Sequence, residues 1–250
     1  MSHTENFQNG QPCWIDLATP DAERRVALCD FYSALFGWTF DVGGPDSGFY
    51  SIANSEGKPV AGVGEMANVP SEWTTYLATS DIASTAETIA KNGGTVLNGP
   101  MQVFDMGHFA VCQDAVGALV GLWQPISFAG FARFDEFNAP TWFDHQSEDP
   151  KRAGEFYRNV FGVTLTPAPE STSSMAGTEG VQWFSLSPLT PNVQPNWTPV
   201  IQVDSLARIT RELETLDATI LMNDVAVPGG RIVVFTDPVV HAPLIAFQLS

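Results

Sequence analysis

PCWIDLAT at residues 12–19 and PTWFDHQS at 140–147 share Pro, Trp and Asp at the same spacing, and this echo decides how the chain is built. The match continues outward. Phe31-Tyr32 and Phe36-Gly37 recur as Phe156-Tyr157 and Phe161-Gly162, Trp73-Thr74 as Trp197-Thr198, and Thr95 to Leu97 as Thr219 to Leu221. GHFAVCQD at 107–114 answers GRIVVFTD at 230–237, and LWQ at 122–124 answers AFQ at 246–248. Self-similarity over a whole chain marks a duplicated structural unit. The second copy is slightly shorter, which small loop deletions explain.

Within the first copy, alternation over Cys13 to Ala18 predicts a strand with Trp14, Asp16 and Ala18 on one face and Ile15 and Leu17 on the other. A helix follows, capped by Asp21 and stopped by Gly37. Strands are predicted at 39–42, 49–53 and 62–65, with the Gly/Pro/Asp/Ser cluster 43–48 as a turn. A strand at 73–79, a helix at 82–92 closed by Gly93-Gly94, and strands at 95–104, 108–112 and 118–124 complete the copy. Each copy thus reads as two βαβββ modules. The expected fold class is α+β: a tail at 1–10, one domain at 11–125, a linker at 126–139 and a second domain at 140–250. Phe128, Phe131, Phe134 and Phe137 in or beside that linker predict a connection packed across a domain interface, because exposing four rings would forfeit several kcal/mol, on the order of 2 per side chain.

Composition limits the partners. The 250 residues are 44% hydrophobic and carry a formal net charge of −17, a field that repels nucleic acid and anionic membrane surfaces. Three cysteines without a CxxC or Cys/His cluster predict reduced thiols and no zinc site, and no basic leader or apolar run of membrane-spanning length stands out. A cytoplasmic protein is the expectation, either a monomer with internal pseudo-symmetry or a homodimer.

The run DPKRAGEFYRNVFG at 149–162, with NGGTVL at 92–97 and the closing DAVGALVGLWQP at 114–125, resembles the vicinal oxygen chelate superfamily, the glyoxalase, bleomycin-resistance and extradiol dioxygenase group. It looks in particular like the two-domain glyoxalase-like proteins common in actinobacteria. The resemblance implies paired βαβββ modules curving a sheet around a cleft, which in many members holds a divalent metal on His, Gln and Glu. Here the corresponding positions are Trp14 and Trp142 on the opening strands and Gly121 and about Ile245 on the closing strands. None of these ligates a metal, so neither a metal nor another cofactor is expected.

The repeated pairs Trp14/Asp16 and Trp142/Asp144 are candidate ligand-binding residues, with Tyr76 and Trp123 as further walls. Tryptophan faces accept planar or cationic groups and a carboxylate fixes orientation. The plainer reading is that each Trp fills the former metal space and each Asp ties down backbone. Asp16 and Asp144 are also candidate general bases if burial raises their pKa. Tyr76 has Val200 as its counterpart, an asymmetry through which one domain could gain specificity. His145, one residue beyond Asp144, reads as a packing histidine. The sequence predicts a metal-free protein that binds a small hydrophobic or planar molecule. The alternatives are a glyoxalase-type lyase or isomerase or a hydroxylase-like enzyme acting on a reactive carbonyl, and a purely structural or interaction protein.

Overall fold

The computed structural model describes residues 7–66, 70–168, 173–178, 180–189 and 193–250. The first copy runs β1 (Pro12–Thr19), α1 (Ala22–Phe36), β2 (Thr39–Val42), β3 (Ser51–Ser55), β4 (Lys58–Glu65), β5 (Trp73–Ala78), α2 (Ile82–Lys91), β6 (Thr95–Val103), β7 (Gly107–Gln113) and β8 (Leu119–Pro125). The second runs β9 (Ala139–Ser147), α3 (Pro150–Phe161), β10 (Thr164–Pro167), β11 (Ser174–Thr178), β12 (Val181–Pro188), β13 (Asn196–Gln202), α4 (Leu206–Thr215), β14 (Thr219–Val227), β15 (Gly230–Thr236) and β16 (Pro243–Leu249).

Each copy forms one eight-stranded mixed sheet, ordered β2-β3-β4-β1-β5-β8-β7-β6 and β10-β11-β12-β9-β13-β16-β15-β14. The two modules of a copy meet where β1 runs antiparallel to β5, and β9 antiparallel to β13. The opening strand β1 is buried along its length because helices cover one face and the curved sheet encloses the other, whereas β9 leaves Trp142, Asp144 and Gln146 partly exposed. Ile15 and Leu17 are fully buried, while Trp14 and Asp16, on the opposite face, border a cavity.

The predicted caps form. Asp21 accepts from the Arg24 backbone amide, and Gly37 ends α1 in the left-handed region. The third and fourth strands differ from expectation: β3 begins at Ser51 rather than 49, and β4 begins at Lys58 rather than 62. Glu56 and Gly57 both take positive φ, closing a two-residue hairpin that carries pairing to within one turn of both strands.

Residues 1–6 of the expected tail lie outside the described residues. Residues 7–10 are packed rather than loose: Phe7 meets Phe131 edge-on, and the Gly10 amide donates to the Ala78 carbonyl at 2.8 Å. The 126–139 connection is packed as well. Phe128 lies against Trp14 and Trp123, and Phe131 and Phe134 stack on Phe143 of β9. Phe137 is the exception, standing half exposed. Helix α1 meets α4, α2 meets α3 and β5 meets β13, so the copies clasp each other around a pseudo-two-fold. No helix among the described residues is long and apolar enough to cross a membrane.

Candidate functional site

A cavity of about 770 Å³ opens in the N-terminal sheet. Its floor comes from Trp14 and Asp16 on β1, Tyr76 on β5 and Trp123 on β8. Ile52, Phe109 and Phe128 form walls, and the segments Asp41–Ser47 and Gln102–Phe104 flank it. Four of the six sequence-predicted ligand residues, Trp14, Asp16, Tyr76 and Trp123, therefore converge on one space. Val42 and Phe104 line the same cavity yet stand more than half exposed, giving it an apolar rim.

At the floor, Asp16 is 5% exposed and accepts hydrogen bonds on one oxygen, Oδ2, from the Tyr50 hydroxyl at 3.2 Å and the Tyr76 hydroxyl at 3.1 Å. Trp14 Nε1 donates to the Tyr50 hydroxyl at 2.9 Å, which fixes the phenol's direction. Among the described residues no protein group donates to Asp16 Oδ1. Burial pushes this carboxyl up to about 7, against the two phenols that favour its ionised form.

The sequence reading missed Tyr50. It falls within the strand expected at 49–53 but stands just before β3 in the structure, so the strand reading alone did not single it out, and the usable signal lay in the glycines opposite. A Cβ on Gly62 would lie 1.8 Å from the Tyr50 hydroxyl, and one on Gly64 would lie 3.0 Å from the same ring. Gly121 plays the same part for Tyr76, with 2.2 Å left for a Cβ. The missing side chains on β4 and β8 are what let two tyrosines lie flat across the sheet and reach Asp16.

The second copy resolves the same backbone differently. Trp142 and Asp144 do not join the cavity; they sit at equivalent positions on the other sheet. Ser185 and Ser187 stand where Gly62 and Gly64 do, and both hydroxyls donate to Asp144 Oδ1, at 2.6 and 2.7 Å. Gln146 donates to Oδ2 at 2.9 Å, and Trp142 Nε1 donates to Ser185 at 3.1 Å. Across the sheet the row Trp14–Tyr76–Gly121 is replaced by Trp142–Val200–Ile245 in the same register. Both oxygens of Asp144 are thus occupied, while one oxygen of Asp16 is not.

His145 packs as expected, fully buried against Tyr157 and Trp197, but its polar partner comes from the other copy. Its Nε2 lies 2.7 Å from Asp114 Oδ2, and the Tyr157 hydroxyl donates to the same oxygen at 2.7 Å. This is a clasp between the halves, away from the cavity.

The chemistry of these donors does not suit a divalent metal. The positions that the resemblance pairs with metal ligands, Trp14, Trp142, Gly121 and about Ile245, carry no ligating side chain, and among the described residues no three His, Cys, Asp or Glu side chains converge. A thiol route is equally unsupported by geometry: Cys13, Cys29 and Cys112 are all buried, and burial raises each thiol, that of Cys112 to about 12. The three thiols of the native protein should react with a disulfide reagent at least ~100-fold more slowly than after unfolding, since the thiolate is the attacking species. Rapid modification of one native thiol, followed by mass spectrometry, would contradict this burial.

Paired βαβββ modules in tandem, each with its curved sheet, define the vicinal oxygen chelate fold. Comparison with solved structures agrees: 2,2',3-trihydroxybiphenyl 1,2-dioxygenase from Sphingomonas wittichii RW1 superposes with a TM-score of 0.66 at 13% identity, covering 96% of this chain and 91% of that one. The Mn(II)-bound glyoxalase from Novosphingobium aromaticivorans gives 0.68 at 13% identity, covering 96% and 82%. No family model matches the chain.

By sequence the chain is similar over nearly its whole length to proteins of two different names. A putative glyoxylase, CFP32, of Mycobacterium tuberculosis is 27% identical over 252 residues, 95% of each chain. The anthracycline biosynthesis protein DauV of Streptomyces sp. strain C5 is 29% identical over 257 residues, 93% of this chain and 91% of that one.

Proposed function

We propose that the N-terminal cavity binds a planar, largely apolar molecule carrying a hydroxyl or carbonyl group, and that it does so without a divalent metal. The observation that carries this reading is the floor: a buried carboxyl with one oxygen held by two phenols and the other open, inside walls of Trp, Tyr and Phe. Such walls favour flat rings through stacking and apolar burial, and a single polar group at the end of an apolar space fixes orientation. About 770 Å³ accommodates a fused three- or four-ring body within the usual range of ligand pockets. DauV, a relative over nearly the whole chain, is named for the biosynthesis of the polycyclic anthracyclines, which agrees with a flat ligand. The carboxylates Asp16, Asp41 and Asp46 lining the cavity disfavour anions.

Titration of tryptophan fluorescence tests the reading, because Trp14 and Trp123 both border the cavity. Anthrone and 1-hydroxyanthraquinone should quench with dissociation constants of about 1–100 μM, while an aliphatic alcohol of similar size should not. Quenching should survive exhaustive chelation, and metal analysis of protein prepared without chelator should find no stoichiometric divalent ion. Failure of every planar probe to bind overturns the reading. A stoichiometric ion whose removal abolishes binding overturns its metal-free part.

A further inference from the structure

Duplication supplies an internal comparison for Asp16. Asp144 occupies the same position on its sheet, and its two oxygens take hydrogen bonds from Ser185, Ser187 and Gln146. An aspartate kept only to tie down the sheet would look like that. Asp16 differs: Tyr50 and Tyr76 both donate to Oδ2, and among the described residues nothing donates to Oδ1, although the side chain lines a large cavity. Among the described residues no Lys, Arg or His lines that cavity to neutralise the carboxylate.

The geometry points to Asp16 as a general base and acid that enolises a bound planar ring-fused ketone, an activity resting on the ligand reading above. In the step, Oδ1 takes a proton from a carbon conjugated with the carbonyl. The C–H electron pair becomes a ring C=C bond and the carbonyl π pair moves to oxygen, giving an enolate. Asp16 then returns its proton to that oxygen or to carbon, so the ligand is tautomerised and the carboxylate regenerated without oxidant or co-reactant. Tyr50 and Tyr76 are positioning residues, holding Oδ2 so that Oδ1 faces the ligand. Burial, which raises the Asp16 carboxyl to about 7, supports the role, because a base is most effective when its pKa lies close to the working pH. Among the described residues, the other titratable groups bordering the cavity are Asp41 and Asp46, both exposed on the segment flanking it, and the phenols of Tyr50 and Tyr76, which burial and the facing Asp16 hold well above their usual range.

The test uses the full chain and anthrone, a planar three-ring ketone with an acidic methylene, in deuterated buffer without oxygen. Occupancy is followed by tryptophan quenching and methylene deuteration by mass spectrometry in the same samples. Wild-type protein should accelerate deuterium uptake at least ~10-fold over buffer, with the rate rising with pH through about 7 as Asp16 loses its proton. Asp16→Asn should fall to the buffer rate per molecule of bound anthrone, each rate being divided by the occupancy that quenching reports in the same sample. Tyr50→Phe removes a donor that favours the carboxylate, so its rate profile should shift to higher pH, which loss of packing alone would not produce. Quenching with exchange at the buffer rate, or wild-type exchange by Asp16→Asn, overturns the proton transfer and leaves the binding reading intact. Absence of quenching by anthrone overturns both for this ligand class.

Discussion

Gly121→Ile should abolish binding of planar ligands by the N-terminal cavity and destabilise the protein together. A Cβ at this position would stand 2.2 Å from Tyr76 Cδ1, well inside van der Waals contact, so the ring must leave its place. Overpacking of this kind costs about 1–3 kcal/mol. Moving Tyr76 also withdraws one of the two phenols on Asp16 and collapses a wall, so affinity for 1-hydroxyanthraquinone should fall more than ~10-fold. The second copy shows how the same row packs with a branched residue there: Val200 faces Ile245. The double variant Tyr76→Val/Gly121→Ile should therefore recover most of the lost stability while binding stays lost. Denaturant unfolding and tryptophan quenching separate the two effects. Unimpaired binding by the single variant would mean that Tyr76 does not shape the cavity, and failure of the double variant to recover stability would contradict the register equivalence.

Why the two copies diverge at this row also explains what the sequence could and could not disclose. The duplicated modules were legible because strand alternation, Asp21 as a cap and Gly37 as a stop are local features, and their repetition after about 125 residues is independent confirmation. Trp14, Asp16, Tyr76 and Trp123 were legible as candidate residues from the repeat and strand alternation, and the fold brings them to one cavity. The identical Trp-x-Asp pairs made Trp142 and Asp144 candidates beside Trp14 and Asp16, yet the cavity depends on what lies beside each pair. Gly62, Gly64 and Gly121 leave room for tyrosines, whereas Ser185, Ser187 and Ile245 fill it. A glycine in a strand signals close approach by something, but only the register shows that the approaching group is Tyr50 or Tyr76. The same limit hid Asp114 behind His145, whose pairing crosses between copies.

The strongest single support of the clasp should be Asp114. Its Oδ1 accepts the amides of Val116 and Ala118, stabilising the turn before β8, and its Oδ2 takes His145 and Tyr157 from the other copy. Asp237, the equivalent residue, accepts amides of its own turn, and where His145 stands the first copy has Leu17, so this cross-copy link is one-sided. Asp114→Ala would leave both donors buried without their acceptor, a change worth about 3 kcal/mol or more. For a chain of this size that lowers Tm by roughly 6–12 °C. Burial alone would raise the Asp114 carboxyl, but the hydrogen bonds and charge of His145, with Tyr157 and the Val116 amide, outweigh it and hold the carboxyl below its usual value. A depressed native pKa contributes stability that is present above the unfolded value of about 3.9 and lost as pH falls through the native value. Asp114→Asn should accordingly unfold with a shallower dependence on pH below about 4 than the wild type, because the variant has no carboxylate there to protonate. Calorimetry across that range decides the matter: identical slopes for wild type and Asp114→Asn, or a loss below about 1 kcal/mol in Asp114→Ala, would show that the Asp114 link contributes little to holding the halves together.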